Sequence, residues 1–209
     1  MAKVLYITAN PKPIAESFAL RTGQAFINAY METHPYDEVE HIDLFKIKVP
    51  VIDAVTFSAW DKLEKKKRLT DIEQSKINGL NAIVDQFISG DKYVFVTSFW
   101  NFLFPPVVKA YVDAICVAGK TFTYTDRGVS VGLLSDKSAV HVQARGGFYS
   151  EGAARDLEFG DRYLRTVFAF LGITNVQSVI AEGMAFDSDR AEEILSKAME
   201  RAREVARNF

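Results

Sequence analysis

Val4-Leu5-Tyr6-Ile7-Thr8-Ala9-Asn10-Pro11-Lys12-Pro13-Ile14-Ala15-Glu16-Ser17-Phe18 is the stretch that decides the fold class. Val4–Thr8 is short, apolar, β-branched and aromatic, the pattern of a buried strand. Asn10-Pro11-Lys12-Pro13 interrupts it as a loop. Phe18, Ala19, Thr22, Ala25, Phe26 and Ala29 then recur at helical spacing, so Ser17–Thr33 reads as an amphipathic helix, which His34-Pro35 ends. Working outward, Glu38–Leu44 reads as a second strand and Pro50–Trp60 as an irregular, aromatic-containing connection. Asp61–Ser89 is helical in propensity, with Glu64-Lys65-Lys66-Lys67-Arg68 as a solvated face and Gly90 as its stop. Tyr93–Ser98 is a third strand, Pro105-Pro106 opens a helix over Val107–Val117, and Thr121–Leu134 looks like an inserted hairpin. Ala139–Ala144 is a fourth strand, Arg155–Leu171 a helix, Val176–Ala181 a fifth strand and Arg190–Val205 a closing helix. This alternation predicts one α/β domain over residues 1–209, a parallel sheet with helices on both faces.

Composition narrows the functional classes. The chain has 209 residues, 48% hydrophobic and 25% charged, which is ordinary globular usage. A net charge of −2 argues against a generally basic nucleic-acid binder. The single cysteine, Cys116, has no partner for an internal disulfide, and no Cys/His spacing suggests a metal site. No apolar run has the length of a signal peptide or a membrane span, so the expectation is a soluble cytoplasmic protein with no membrane partner.

Open parallel sheets bind ligands beyond the carboxyl ends of their strands, where the strand order reverses. Three loops fall there. The first, Thr8–Ser17, ends at a helix N-terminus with Ser17 as cap, an arrangement suited to an anion. The second, Ser98-Phe99-Trp100-Asn101-Phe102-Leu103-Phe104, is rich in aromatic rings able to wall a planar ligand, and Asn101 adds an amide donor and acceptor. The third, Arg145-Gly146-Gly147-Phe148-Tyr149, has paired glycines that admit close backbone approach. Each loop taken singly also reads as an ordinary turn or cap. Jointly they describe a pocket for a phosphate plus a planar heterocycle, as flavin mononucleotide (FMN) requires.

Other motifs do not hold up. Gly128-Val129-Ser130-Val131-Gly132 matches a nucleophile elbow in letters, but its flanks read as hairpin rather than strand and helix. Six residues after Cys116 stands Phe122, where a phosphatase loop needs Arg. Asn10 and Phe99 occupy positions where a receiver domain needs acids. Of His34, His41 and His141, the last lies in a predicted strand and reads as a hydrogen-bonded core residue.

The chain resembles, over almost its whole length, the FMN-dependent NADH-azoreductases of the flavodoxin-like quinone reductase group. The resemblance is carried by Phe99-Trp100-Asn101-Phe102 followed by Lys109-Ala110-Tyr111-Val112-Asp113, by Ala118-Gly119-Lys120-Thr121-Phe122-Thr123-Tyr124-Thr125, and by Ala144-Arg145-Gly146-Gly147. Ala169-Phe170-Leu171-Gly172 and Glu182-Gly183 add to it. It implies a flavodoxin-like sheet of order 2-1-3-4-5. It also implies FMN as bound cofactor, held by Asn10, Ser17, Phe18, Phe99, Trp100, Asn101, Phe102, Ala144, Arg145, Gly146 and Gly147. Asn101, Gly146 and Gly147 would stabilise charge on the reduced ring, and no protein nucleophile takes part. The implied activity is ping-pong transfer of hydride from NADH, then of two electrons to quinones or aromatic azo compounds. Implied too are a homodimer and a substrate cleft shaped by Phe122, Tyr124 and Pro50–Trp60. NADH is favoured over NADPH because no arginine cluster obviously awaits a 2′-phosphate. The alternative is a flavodoxin-like electron carrier with no small-molecule cleft. Three departures from the family pattern stand out: Asn10 where some members have Ser, Ser17 as the only serine of the phosphate loop, and Phe99 where members have Met or Leu, which would narrow the flavin wall.

Overall fold

A computed structural model describes all 209 residues. In chain order the first half contains β1 (Lys3–Ala9), α1 (Phe18–Thr33), β2 (Glu38–Asp43), α2 (Ala54–Glu64), α3 (Asp71–Ser89) and β3 (Lys92–Ser98). The second half contains α4 (Pro106–Ile115), β4 (Phe122–Tyr124), β5 (Ser130–Gly132), β6 (Ser138–Arg145), α5 (Gly160–Leu171), β7 (Asn175–Glu182) and α6 (Ala191–Arg207).

Five strands form one parallel sheet in the order β2-β1-β3-β6-β7. With the separate antiparallel pair β4-β5 left out of the count, this is the expected order 2-1-3-4-5. Alternate strand residues face opposite layers. Leu5, Ile7, Tyr93 and Phe95 pack with α3, α4 and α5, while Val4, Tyr6, Val94 and Val96 pack with α1 and α6. Helix α1 lies close on the sheet because Gly23 has no side chain; a Cβ there would sit 2.7 Å from the Tyr6 hydroxyl and from Val96.

Between β1 and β3 the connections diverge. β1 leads outward to β2, and α2 and α3 carry the chain back across to β3. That places the crevice of the sheet at the carboxyl ends of β1 and β3.

Three segments differ from the sequence reading. Pro50–Trp60 is not irregular throughout, because α2 begins inside it. Asp53 caps that helix in a reciprocal box with Thr56. Asp61–Ser89 is not one helix. The chain turns at Lys65–Thr70, with Lys66 at φ 52°, and α3 restarts on a second capping box between Thr70 and Glu73. Glu73 drives the break: its carboxylate is buried against Lys62 at 2.7 Å and Ser58 at 2.7 Å, which folds α2 back on α3. Finally, α5 begins at Gly160. Arg155–Leu157 form only a short 3-10 turn.

The Gly128–Gly132 motif lies in the exposed hairpin with no following helix, so it is no nucleophile elbow. His141 is fully buried and bonded to Thr97 and Asp161, as a core histidine should be.

Candidate cofactor site

The first of the three loops is organised by Asn10. Its amide nitrogen donates to the Ser17 hydroxyl at 2.8 Å and to the Ser98 hydroxyl, and its carbonyl accepts from the Lys12 N–H at 2.9 Å. Both amide hydrogens are thus spent on joining the ends of β1, β3 and α1, and Asn10 has no donor left for a ligand. Ser17 differs. Its oxygen accepts from Asn10 and from the Leu20 N–H, which leaves its own O–H free to donate. Of the first amides of α1, Leu20 and Arg21 are satisfied by Ser17, whereas Phe18 and Ala19 make no bond within the chain. One hydroxyl and two amides therefore converge at the positive end of a helix dipole, a donor set matched to a phosphate.

Above this point lies a cavity of about 280 Å³. Asn10, Ser17, Phe18, Trp100, Ala144, Arg145 and Gly146, all expected at the cofactor, line it. Small residues, Ala19, Ala144, Gly146 and Ala185, make up part of its wall, together with Trp100. Lys12 and Glu16 sit at its exposed rim.

Phe99, Asn101, Phe102 and Gly147 stand beside this cavity rather than on its wall. Asn101 and Phe102 form the exposed tip of a two-residue turn closed by mutual backbone bonds between Trp100 and Leu103, at 2.7 and 3.0 Å. Both have positive φ, 48° and 70°. This is the left-handed region, costly for a phenylalanine, and such strain concentrates at ligand sites. The amides of Asn101, Phe102, Gly146 and Gly147 make no bond within the chain, so the two turns present free donors on either side of the crevice. Phe99 stacks at a tilt on Tyr149, with centroids 4.7 Å apart, and Gly147 leaves room for that ring.

Of the wall residues outside the expected set, Met184 and Ala185 follow β7, a strand end that none of the three loops covered. The rule that ligands gather at strand carboxyl ends would have found them had it been extended to the fifth strand.

Arg145 reaches the wall, but its guanidinium is only 2% exposed and is held by Gln143, Glu158, Glu182 and Ser150. The expected cleft residues form a second place. Phe122 and Tyr124 line a largely apolar cavity of about 440 Å³ together with Ile52 and Trp60 of the 50–60 segment. None of them touches the first cavity within this chain. Cys116 also lies on this second cavity, and burial pushes its thiol up to about 11, so it is a poor nucleophile at neutral pH.

Comparison with known proteins agrees with this geometry. A family model described as flavodoxin-like fold matches residues 2–206. An FMN-dependent NADH:quinone oxidoreductase from Staphylococcus carnosus is 52% identical over 209 residues, covering all of both chains. Another from Halalkalibacterium halodurans is 53% identical over 212 aligned positions, again covering both chains entirely. Among solved structures, an azoreductase from Bacillus anthracis superposes with a TM-score of 0.94 at 37% identity, covering both chains fully. An FMN-dependent NADH-azoreductase from the same species, in complex with FMN, gives a TM-score of 0.89 at 34% identity over 99% of this chain and 100% of the other. The crevice at the β1–β3 switch, the phosphate-matched donors of α1 and these full-length similarities together make the chain a member of the flavodoxin-like FMN-dependent NADH:quinone oxidoreductase and azoreductase family.

Proposed function

We propose that the protein is an FMN-dependent oxidoreductase that takes hydride from NADH and reduces quinones and aromatic azo compounds by a ping-pong mechanism, as a homodimer. The observation that carries this reading is the donor set of Ser17, Phe18 and Ala19 opening into a cavity walled by Trp100 and small residues. FMN held there would supply the redox chemistry, hydride acceptance and two-electron transfer.

The residues of the chain bind and orient. Ser17 O–H and the Phe18 and Ala19 amides hold the phosphate. Asn10 keeps Ser17 and Ser98 together beneath it. The free amides of Asn101, Phe102, Gly146 and Gly147 face the ring and stabilise the negative charge that builds up on reduction. Whole-chain folding around one sheet supports reading residues 1–209 as a single cofactor-binding domain. No helix is long and apolar enough to cross a membrane.

The substrate cleft is assigned to the apolar cavity of Trp60, Phe122 and Tyr124. Tyr124 is 59% exposed and the α2 residues Phe57 and Trp60 are exposed beside one another. A second copy of the chain would cover this surface and bring it against the neighbouring cofactor. The activities for which the relatives are named favour an enzyme over the electron-carrier alternative.

The mechanism is tested by steady-state kinetics with NADH and a benzoquinone varied against each other. Parallel double-reciprocal lines support two half-reactions at one site. Intersecting lines contradict them.

A further inference from the structure

β6 carries three polar residues in alternation, His141, Gln143 and Arg145, on the face packed against α5, and none is more than 2% exposed. Interior strands of parallel sheets are normally apolar on both faces, and buried polar groups are costly unless satisfied. Here they are satisfied in series. His141 Nδ1 lies 2.8 Å from Asp161 and Nε2 lies 2.9 Å from Thr97. The Gln143 amide donates to Thr97 at 3.2 Å and its carbonyl accepts from Arg145 Nε at 2.8 Å. Gly160 makes room for Gln143, since a Cβ there would fall 2.5 Å from its amide.

The series ends at Arg145. Its Nη2 lies 3.2 Å from Glu158 and its Nη1 3.5 Å from Glu182 and 3.4 Å from the Ser150 hydroxyl. Glu182 Oε2 in turn accepts from the Tyr149 and Ser150 amides, both at 3.1 Å. Tyr149 packs on Phe99 at 4.7 Å and on Phe102 at 6.4 Å. One buried guanidinium therefore ties the end of β6, the start of α5 and the end of β7 to the loop that flanks the cofactor cavity. Through Tyr149 the same tie reaches the strained turn at Asn101–Phe102.

We propose that Arg145 and Glu182 are positioning residues for the cofactor: their buried pair holds Gly146–Ser150, and through the Tyr149 ring the Trp100–Leu103 turn, in the shape that forms the ring-binding side of the cavity. The inference rests on the FMN reading of that cavity. Arginine is required because its planar fork serves Gln143, Glu158 and Glu182 at once, which a lysine ammonium does not reproduce.

The experiment uses the full-length chain stripped of cofactor, with Arg145→Lys and Glu182→Gln as separate and combined variants. FMN affinity is read from quenching of flavin fluorescence, fold stability from urea unfolding, and loop order from amide exchange at Tyr149 and Ser150. Both single variants are expected to raise the FMN dissociation constant about tenfold or more and to speed exchange at those two amides. The double variant should bind little worse than either single one, since each frees the same loop. Glu73→Gln, at the distant α2–α3 contact, should lower stability and leave the affinity unchanged. If one single variant does not fold, the other gives the same reading. Reduced stability with unchanged FMN affinity would overturn the proposal, because it is what a purely structural pair would give. Fully additive effects on affinity would overturn it too. If the unsubstituted chain binds no FMN, the cofactor reading itself falls, and that result precedes any substitution.

Discussion

The Asn10 amide donates to the Ser17 hydroxyl at 2.8 Å, linking the end of β1 to the first turn of α1. Because that bond uses the Ser17 oxygen as acceptor, it leaves the Ser17 proton free to donate to whatever occupies the cavity. Asn10→Ala should therefore weaken FMN binding through a residue that itself donates nothing to the ligand. Losing its bonds to Ser17 and Ser98 should also cost about 1 kcal/mol of stability for each hydrogen bond lost. Ser17→Ala should be worse for affinity, since it removes the donor and the helix cap together, at about 1 kcal/mol for the cap alone. Calorimetric titration of the cofactor-free variants with FMN checks the order. Equal affinity for Asn10→Ala and the unsubstituted chain would contradict it.

The turn at Asn101–Phe102 gives a stability prediction of the opposite sign. Both residues occupy the left-handed region, which glycine enters without strain. Asn101→Gly should leave the cofactor-free protein as stable or slightly more so, whereas Asn101→Val should destabilise it by about 1–3 kcal/mol. Thermal unfolding of the two variants, side by side, decides this.

Acid stability should depend on Glu73. The hydrogen bond from Lys62, together with the bonds from the Thr70 amide and Ser58, lowers its carboxyl from 4.5 to about 2. A carboxyl whose folded value is depressed stabilises the fold above its unfolded value and loses that contribution as pH falls through its folded one. The contribution is thus complete above 4.5 and fades down to about 2. Glu73→Gln should be less stable than the parent at pH 7 and should show a flatter loss of stability below pH 5. Urea midpoints measured across that range test it. Parallel curves for the two proteins would contradict the assignment.

Tyr124 separates binding of the acceptor from binding of the cofactor. Its ring is exposed at the mouth of the apolar cavity shared with Trp60 and Phe122. Tyr124→Ala should raise the KM for quinone or azo acceptors several-fold and leave FMN affinity unchanged. No change in KM for any acceptor would remove the cleft from this surface.

How far these features can be read from the residues varies with the range of the interaction that makes them. The β1–α1 unit is plain in the sequence because the hydrophobic period switches within a few residues from strand to helix, with Pro11 and Pro13 between. The break between α2 and α3 was also written there, as Thr70-Asp71-Ile72-Glu73, but the basic run before it continues a helical pattern and conceals the stop. The left-handed backbone at Phe102 has no local signature, since a bulky aromatic residue is among the last expected there. Least visible is the partnership of Arg145 with Glu158 and Glu182, which come from separate elements and meet only when β6, α5 and β7 pack. The motif around Arg145 singles out its loop, but the guanidinium's partners could not be assigned from it.

The central claim is that this cavity holds a flavin that accepts hydride from NADH. The most direct measurement is the absorption spectrum of the FMN-loaded protein under anaerobic conditions, before and after NADH is added. Bands at about 370 and about 450 nm that bleach within seconds, and return on addition of a quinone, are the predicted result. Flavin bands that persist in NADH, or a protein that takes up no flavin at all, would contradict it.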